Sequence, residues 1–564
     1  MRFRAASRPL RFLLPLFAAV AAAGEVLYNG IELPAQWPPA MAVPNTGEPM
    51  PVPYLKKPPA VIPIDVGRQL FVDDFLIESS TLRRRFHRPE YHPQSPVLKP
   101  EMKWEKASDG SFAAPFSDGV WFDAKAGMFM MWYHAANRAT CLALSSDGIA
   151  WTRPALDLEA GTNVVLRSVR DSNTVWFDPE SIEPGGRFKM FEARYKKSAW
   201  QIALRLSPDG RTWSDELAAS GPSWDRSTVF WNPFRKVWVA SVRGHDSMKP
   251  DPVHRIRCYH EGRTPEAALA WKQHTDEVAK GHGLANDLQP WVAADKLDPR
   301  NPDPRFAQLA PQLYNLDAFP YESLMVGLFI IWQGPDNEAM KAMNLQKRNE
   351  VLVGFSRDGF HWDRVNRERF LPVSDTPGAW NAANVQSCGG GCLVVGDRLF
   401  FYCSGRANQF TSIVSTGLAT MRRDGFASLD AADGEGTLTT RTVRFSGSHL
   451  FVNLAAPHGE FRAEVLDQKG TVIAPFTREN CVAISGDKTL LQVRWKDGGD
   501  LSSLAGQPVK FRFHLKNGAL YSFWVSPEES GASHGYVAAG GPGFTAPIDT
   551  VGATAQPSPT RRER

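Results

Sequence analysis

Cysteine is scarce, with six residues in a chain of 564. That is too few to staple a fold of this size, so packing must carry the stability. Long apolar runs are missing beyond the first 23 positions, and no later segment offers the roughly 20 apolar residues a spanning helix needs. An excess of either charge is also lacking. Lys and Arg number 64 against 60 Asp and Glu. Four of the basic residues (Arg2, Arg4, Arg8 and Arg11) fall in the first 23 positions, which hold no acid, and the remainder balances. With no basic stripe, nothing points to nucleic acid. An apolar share of 43% and a charged share of 22% exclude disorder over most of the chain. What is plentiful is 18 Trp, 33 Phe, 45 Gly and 43 Pro. Such a supply of turn formers and aromatics marks a β-rich protein rather than a helical bundle.

The N-terminus reads as an export signal. Met1 to Arg11 is basic, Phe12 to Val20 is apolar, and Ala21-Ala22-Ala23 supplies the small residues of a cleavage site before Gly24. The mature chain is therefore expected to be secreted or periplasmic, with no integral membrane span. Cys388-Gly-Gly-Gly-Cys392 leaves two readings open, a closed loop or metal pair, and free thiols beside a Gly-rich bend.

A short phrase recurs: Ser, any residue, Asp, Gly, two residues, Trp. It stands at Ser145–Trp151, Ser207–Trp213 and Ser356–Trp362, with a degenerate copy at Arg422–Ser428. Asp-Gly is a hairpin turn signal because Gly takes positive φ without a steric cost. The glycines are separated by 62, 149 and 66 residues, so the middle gap hides one unmarked unit, giving five. Units of this length with about four strands each are the mark of a β-propeller. The units open with Gly119–Asp123, Thr174–Asp178, Thr228–Asn232, Leu316–Pro320 and Asn384–Ser387, each followed by a very apolar strand. Unit three, over about residues 222–272, lacks the phrase; Ile256–His260 and the Trp271 region are assigned to its outer strands.

The expected fold is all-β, a five-bladed β-propeller followed by a C-terminal β-sandwich. Residues 1–23 are the signal, 24–65 a Pro-rich linker or wrap, 66–435 the propeller, 436–526 the sandwich and 527–564 a flexible tail. Leu70–Ile77 and Leu82–His87 form a lead-in placed to close the ring. The sandwich rests on short alternating strands from Thr442–Phe445 to Leu520–Val525.

In a four-stranded blade, the start of the first strand and the end of the second share one face, and the Asp-Gly turns lie on the other. At first-strand starts stand Asp118, Asp171, Asp225 and Asp317, and Glu322 follows in the first turn of unit four. At second-strand ends stand His134, Arg194, Arg243, His245, Gln333 and Arg406. Acids thus converge on a mouth ringed by cations, amides and aromatics, where sites gather. Asp225 and Glu322 are the expected principal pair, with Asp171, Asp118 and Asp317 in support. Each also has a plain structural reading as a turn cap or ion-pair partner. Asp123, Asp178, Asp147, Asp209 and Asp358 are expected to be turn residues, and one of Asp73 and Asp74 is a weaker choice for the mouth.

The repeat, the blade-start carboxylates and the trailing sandwich resemble the five-bladed glycoside hydrolases, the superfamily of invertases, levanases, arabinanases and β-xylosidases that includes families 32 and 43. Ser95-Pro96-Val97-Leu98-Lys99-Pro100 with Trp104-Glu105 is similar to the opening of blade one there. The chain looks still more like exported bacterial glycosyl-hydrolase-like proteins. The similarity covers roughly residues 66–526, and its motifs are structural. The family 32 phrases WMNDPNG, RDP and EC are absent, which argues against a fructosidase. The spacing also differs from the sialidase Asp-box. The resemblance implies hydrolysis of an oligo- or polysaccharide by two carboxyl groups, with stereochemistry set by their separation. It implies no cofactor, though a divalent cation in the propeller channel stays open. Two other classes stand beside it: a glycan-binding propeller without catalysis, and a glycoside phosphorylase like those of family 130, for which Arg243 and His245 suit a phosphate.

Overall fold

Each Ser-x-Asp-Gly phrase closes its turn on itself. Ser145 Oγ accepts the Gly148 amide at 2.8 Å, and Asp147 Oδ1 accepts those of Ile149 and Ala150, each at 2.8 Å. Ser207 with Asp209, and Ser356 with Asp358, repeat the arrangement. The glycines sit at φ of +75°, +71° and +78°, a region that disfavours any Cβ. These aspartates are consumed by backbone amides, as expected of turn residues. The turn then clasps the neighbouring strand group. Tyr402 donates to Gly148 O, Trp132 Nε1 to Gly210 O at 2.8 Å, and Trp291 Nε1 to Phe360 O at 2.8 Å. In the degenerate copy Asp424 takes the Tyr321 hydroxyl at 2.6 Å.

This computed structural model describes residues 24–41, 47–108, 110–136, 138–196, 199–246, 254–272, 287–407, 413–497 and 499–555, without the side chains at 245, 246, 254 and 433. The expected signal at 1–23 lies outside the described residues. The described chain is almost entirely β, with a few short helical turns such as Pro265–Ala268 and Asn337–Ala342. No helix among the described residues is long and apolar enough to cross a membrane.

The strands run as successive antiparallel groups. The first holds Gly110–Asp123, Met128–Ala135, Ala139–Ser145 and Val164–Arg167. The second holds Arg170–Phe177, Phe188–Lys196, Ala199–Ser207 and Ala218–Ala219. The third holds Thr228–Asn232, Val237–Asp246, His254–Gly262 and Gln289–Ala293. The fourth is Gln312–Glu322, Leu324–Trp332 and Asn349–Ser356, edged by bridges at Asp363 and Leu371. The fifth is Asn384–Gln386 with Leu393–Val395, then Arg398–Arg406 and Ile413–Arg422. Innermost strands are bonded in turn: Trp121 Nε1 to Val175 O, Val229 N to Thr174 Oγ1, Thr228 Oγ1 to Leu316 O, and Ser387 Oγ to Asp317 Oδ2. Phe116 N to Ser404 Oγ returns from the first group to the fifth.

Several boundaries differ from the sequence reading. The outer strand of the third group is Gln289–Ala293, beyond residue 272, because Trp271 follows a helical turn that Pro265 starts. The lead-in does not close the ring. Gln69–Leu70, Ile77–Ser80 and Arg83–Phe86 join the second unit, and the fifth group is completed instead by Glu90–Tyr91 and Leu98. That second unit is one connected seven-stranded sheet, led by His449–Leu466, Lys510–Ser526 and Ala427–Thr440, with bulges bending its long strands. Residues of the expected linker pack into its core, among them Leu27, Leu33, Tyr54, Ile62 and Ile64. Asp73 is turned away from the mouth and buried against Arg357 at 2.8 Å, while Asp74 is exposed beside Arg84.

The expected tail is not free. Tyr536 and Val537 pair with Glu322 and Tyr321, Ala539 O accepts from Phe122 N, and Gly540 O from Val394 N. The segment therefore stitches three strand groups together at the end opposite the mouth; residues 556–564 lie outside the described residues. All six cysteines are buried and none forms a disulfide, and no metal-binding group of three or more His, Cys, Asp or Glu occurs among the described residues. The Gly389–Gly391 run is steric in origin. Gly391 sits at φ +78°, and a Cβ there would lie 2.0 Å from the Phe319 ring. Gly391→Ala is expected to cost at least about 2 kcal/mol in denaturant unfolding. A loss below about 0.5 kcal/mol, an ordinary surface effect, would contradict the close approach.

Candidate functional site

Backbone irregularity at the strand starts aims the acids. The first strand of group one is broken by a bulge between Ala114 and Gly119, and Phe116 and Ser117 take φ of +41° and +75°. Bulges re-aim side chains, and this one turns Ser117 and Asp118 toward the axis. Arg226, at φ +53°, repeats the device in group three. Strained non-glycine residues at neighbouring positions suggest a functional constraint.

Asp118 is fully buried; its Oδ1 accepts Arg170 Nη1 at 2.7 Å and the Asn173 amide at 3.1 Å. Burial raises its carboxyl to about 6, with Arg170 pulling the other way. Asp317 is also buried, accepting from Ser387 Oγ at 2.6 Å, Ser117 Oγ at 3.0 Å and Asn315 Nδ2 at 3.1 Å. Burial raises it too. Outward of these two stand Asp171 and Asp225, with side chains 31% and 28% exposed. Asp171 Oδ1 lies 3.6 Å from Arg226 Nη1, and Asp225 contacts Arg243. His134 stacks on Phe112, with centroids 5.6 Å apart. Burial, then Arg170, Arg406 and Arg226, keep its ring neutral. Arg406 lies over Phe112 and Phe116, at 5.5 and 5.1 Å.

Asp118, Asp171, Asp225, Asp317, His134, Arg243 and Arg406 therefore meet at one mouth, fed by all the strand groups. Three expected residues do not join it. Glu322 sits at the opposite end, because strand Gln312–Glu322 runs past Pro320 and turns only at Glu322, at φ +49°. Its Oε1 takes Arg423 Nη2 at 2.9 Å, and its Oε2 takes Ser533 Oγ at 2.7 Å. A pair of Asp225 with Glu322 is thus ruled out by position. Arg194 is held by Glu216 at 2.5 Å. Gln333 is buried with Nε2 on Glu350 at 3.0 Å. The side chain of His245 lies outside the described residues.

Several groups were missed. Arg170 and Arg226 adjoin the chosen aspartates in sequence and were legible as Arg-Asp and Asp-Arg pairs. Arg255 and Lys347 were not, since each reaches in from a later strand or loop. Arg255 covers Trp332 at 5.0 Å and Tyr314 at 5.6 Å. Lys347 is lowered to about 8 by burial and by Arg255, Arg406 and Arg243.

A cavity of about 800 Å³ opens at the other end, among Trp121, Trp176, Trp231, Tyr536 and Phe544. Of its three acids, Asp123 and Asp178 are held by Arg187 and Lys189 at 2.7 and 3.0 Å, and Glu180 is exposed. Carboxylates thus meet solvent at both ends, and the mouth is the one where acids from successive strand starts converge.

No protein-family model and no curated protein sequence matches the chain. Among solved structures, the chain is similar to a β-1,2-mannobiose phosphorylase from Listeria innocua, with TM-score 0.38 and 11% identity over 60% of this chain and 97% of that one. It is also similar to a glycosyl hydrolase from Bacteroides ovatus, with TM-score 0.35 and 12% identity over 62% and 96%. A fructofuranosidase from Schwanniomyces occidentalis gives TM-score 0.32 and 11% identity over 78% and 97%. Likeness this slight does not bear on activity.

Proposed function

We propose that the protein is an exported glycoside hydrolase, a five-bladed β-propeller with a β-sandwich behind it, cleaving a glycosidic bond at the propeller mouth. The observation that carries this reading is the pair Asp171 and Asp225. They stand in the same register at the starts of successive groups, three residues before Thr174 and Thr228, and both remain partly open to solvent. In the reaction one carboxyl protonates the leaving oxygen while the other attacks the sugar or activates water, and water adds across the broken C–O bond. Asp225, beside Arg243, takes the base or nucleophile role. Asp171 takes the proton-donor role. Asp118 and Asp317 act behind them as positioning groups, fixing Arg170 and the channel wall.

One observation favours a second reading, glycan binding without catalysis: three of the four mouth aspartates, Asp118, Asp171 and Asp225, already touch an arginine. A screen of the purified mature protein on polysaccharides and aryl glycosides, with and without phosphate, separates these. Reducing sugar released without phosphate supports hydrolysis. Binding with no release supports the module, and phosphate-dependent release of a sugar phosphate supports a phosphorylase.

A further inference from the structure

The mouth holds more positive charge than its own carboxylates answer. Asp118 is committed to Arg170, and Asp317 to two hydroxyls and an amide. Asp171 and Asp225 face Arg226 and Arg243. That leaves Arg255, Arg406 and Lys347, all half-buried, with no carboxylate within salt-bridge distance among the described residues. They crowd each other. Burial and repulsion from Arg255 push Arg243 down to about 10; burial, with Arg226 adding to it, lowers Arg406, and burial with Arg255, Arg406 and Arg243 lowers Lys347. Independently, Arg170 and Arg226, 7% and 2% exposed, each keep Nε and Nη2 without a hydrogen-bond partner. Buried guanidinium edges of this kind match the paired oxygens of a carboxylate or sulfate.

We propose that the mouth binds an oxyanion, and that the glycan itself carries it, as a uronate carboxylate or a sulfate ester. This rests on the carbohydrate reading above and narrows its substrate class. A neutral sugar offers hydroxyls but no charge, and leaves three half-buried cations facing one another. An oxyanion offsets that repulsion and gives the free guanidinium N–H groups acceptors. Phe112, Tyr314 and Trp224, each partly exposed beside these cations, supply faces for the sugar ring.

Titration calorimetry on the mature protein tests this without needing turnover. The probes are glucuronate, galacturonate and N-acetylglucosamine 6-sulfate, with glucose and galactose as neutral partners and sodium phosphate as the free ion. At least one anionic sugar is expected to bind about tenfold or more tighter than its neutral partner, and to weaken as salt is raised. Arg406→Gln and Lys347→Met, whose side chains hold no structural hydrogen bond among the described residues, should each lose about tenfold. Arg226 is a poorer choice, since it also holds Phe116 O at 3.3 Å. Equal binding of anionic and neutral sugars overturns the oxyanion. Phosphate binding as tightly as any anionic sugar assigns the site to the free ion and overturns the glycan source. Anionic binding with no cleavage of any substrate defeats only the hydrolase reading. Cleavage of a neutral glycan with no anionic preference defeats only this one.

Discussion

Asp225→Asn is expected to lower glycosidase turnover by about 10²–10⁴-fold while the protein stays folded, and Asp171→Asn to do the same. Both substitutions keep the shape and remove the charge or the transferable proton. Each acid is close to a third exposed but its arginine partner is buried; asparagine keeps an oxygen toward that arginine, so the loss should stay within about 1–3 kcal/mol. Unfolding curves for both variants should therefore be shifted but still cooperative. The comparison that isolates chemistry is with Glu322→Gln, which lies at the far end and should leave the turnover of the remaining folded protein near that of the parent. If Asp225→Asn and Asp171→Asn both turn over at parental rates, the mouth pair is wrong and the catalytic reading falls. A rate loss in Asp225→Asn alone would make Asp171 a binding residue and move the proton donor to Asp118, whose buried carboxyl already titrates at about 6.

What the sequence made legible was local. The Ser-x-Asp-Gly turns could be read because all their hydrogen bonds fall within three residues, as at Ser145, Asp147 and Gly148. The first strands and their acids followed from the same register. Three things were not local. The end at which Glu322 lies depends on where a strand stops, and Pro320 suggested an end two residues too early. Residues 527–555 read as a tail because Gly, Ala, Pro and Ser lack the bulk of a core. Here the small residues let the backbone approach other groups closely. A Cβ on Gly535 would meet Glu322 Oε2 at 2.1 Å, and one on Gly541 would meet Val394 O at 1.8 Å. Finally, Arg255 and Lys347 reach the mouth from a strand and a loop whose sequence carries no mark of it. The site was therefore read as acids ringed by cations, when cations outnumber them.

Arg423→Met is expected to be the most damaging single change, at about 3–5 kcal/mol. Arg423 joins the ring, the second sheet and the C-terminal segment at one buried point. Its Nη2 reaches Glu322 at 2.9 Å and Asp549 at 3.0 Å. Arg68, stacked 4.1 Å over Trp524, reaches Asp424 at 3.1 Å, and Asp424 also takes Ser522 Oγ at 2.7 Å and Asn453 Nδ2 at 2.9 Å. Two cations thus serve three carboxylates, all of them almost fully buried. Removing Arg423 leaves three acids facing one remaining cation. Glu322→Gln should cost distinctly less, because burial already raises that carboxyl and the neutral amide keeps its shape. The cluster also sets an acid limit. Arg68 and Arg423 hold Asp424 at about 2 against burial, below its ordinary 3.8. A carboxyl depressed in the folded state stabilises above its unfolded pKa, so this contribution is complete above about pH 4 and lost as pH falls from 3.8 toward 2. Urea unfolding at pH 7 and pH 3 measures both effects. The parent should lose stability between the two, and Asp424→Asn, weaker at pH 7, should lose less on acidification. An Arg423→Met protein as stable as the parent at pH 7 would show that the cluster does not hold the units together.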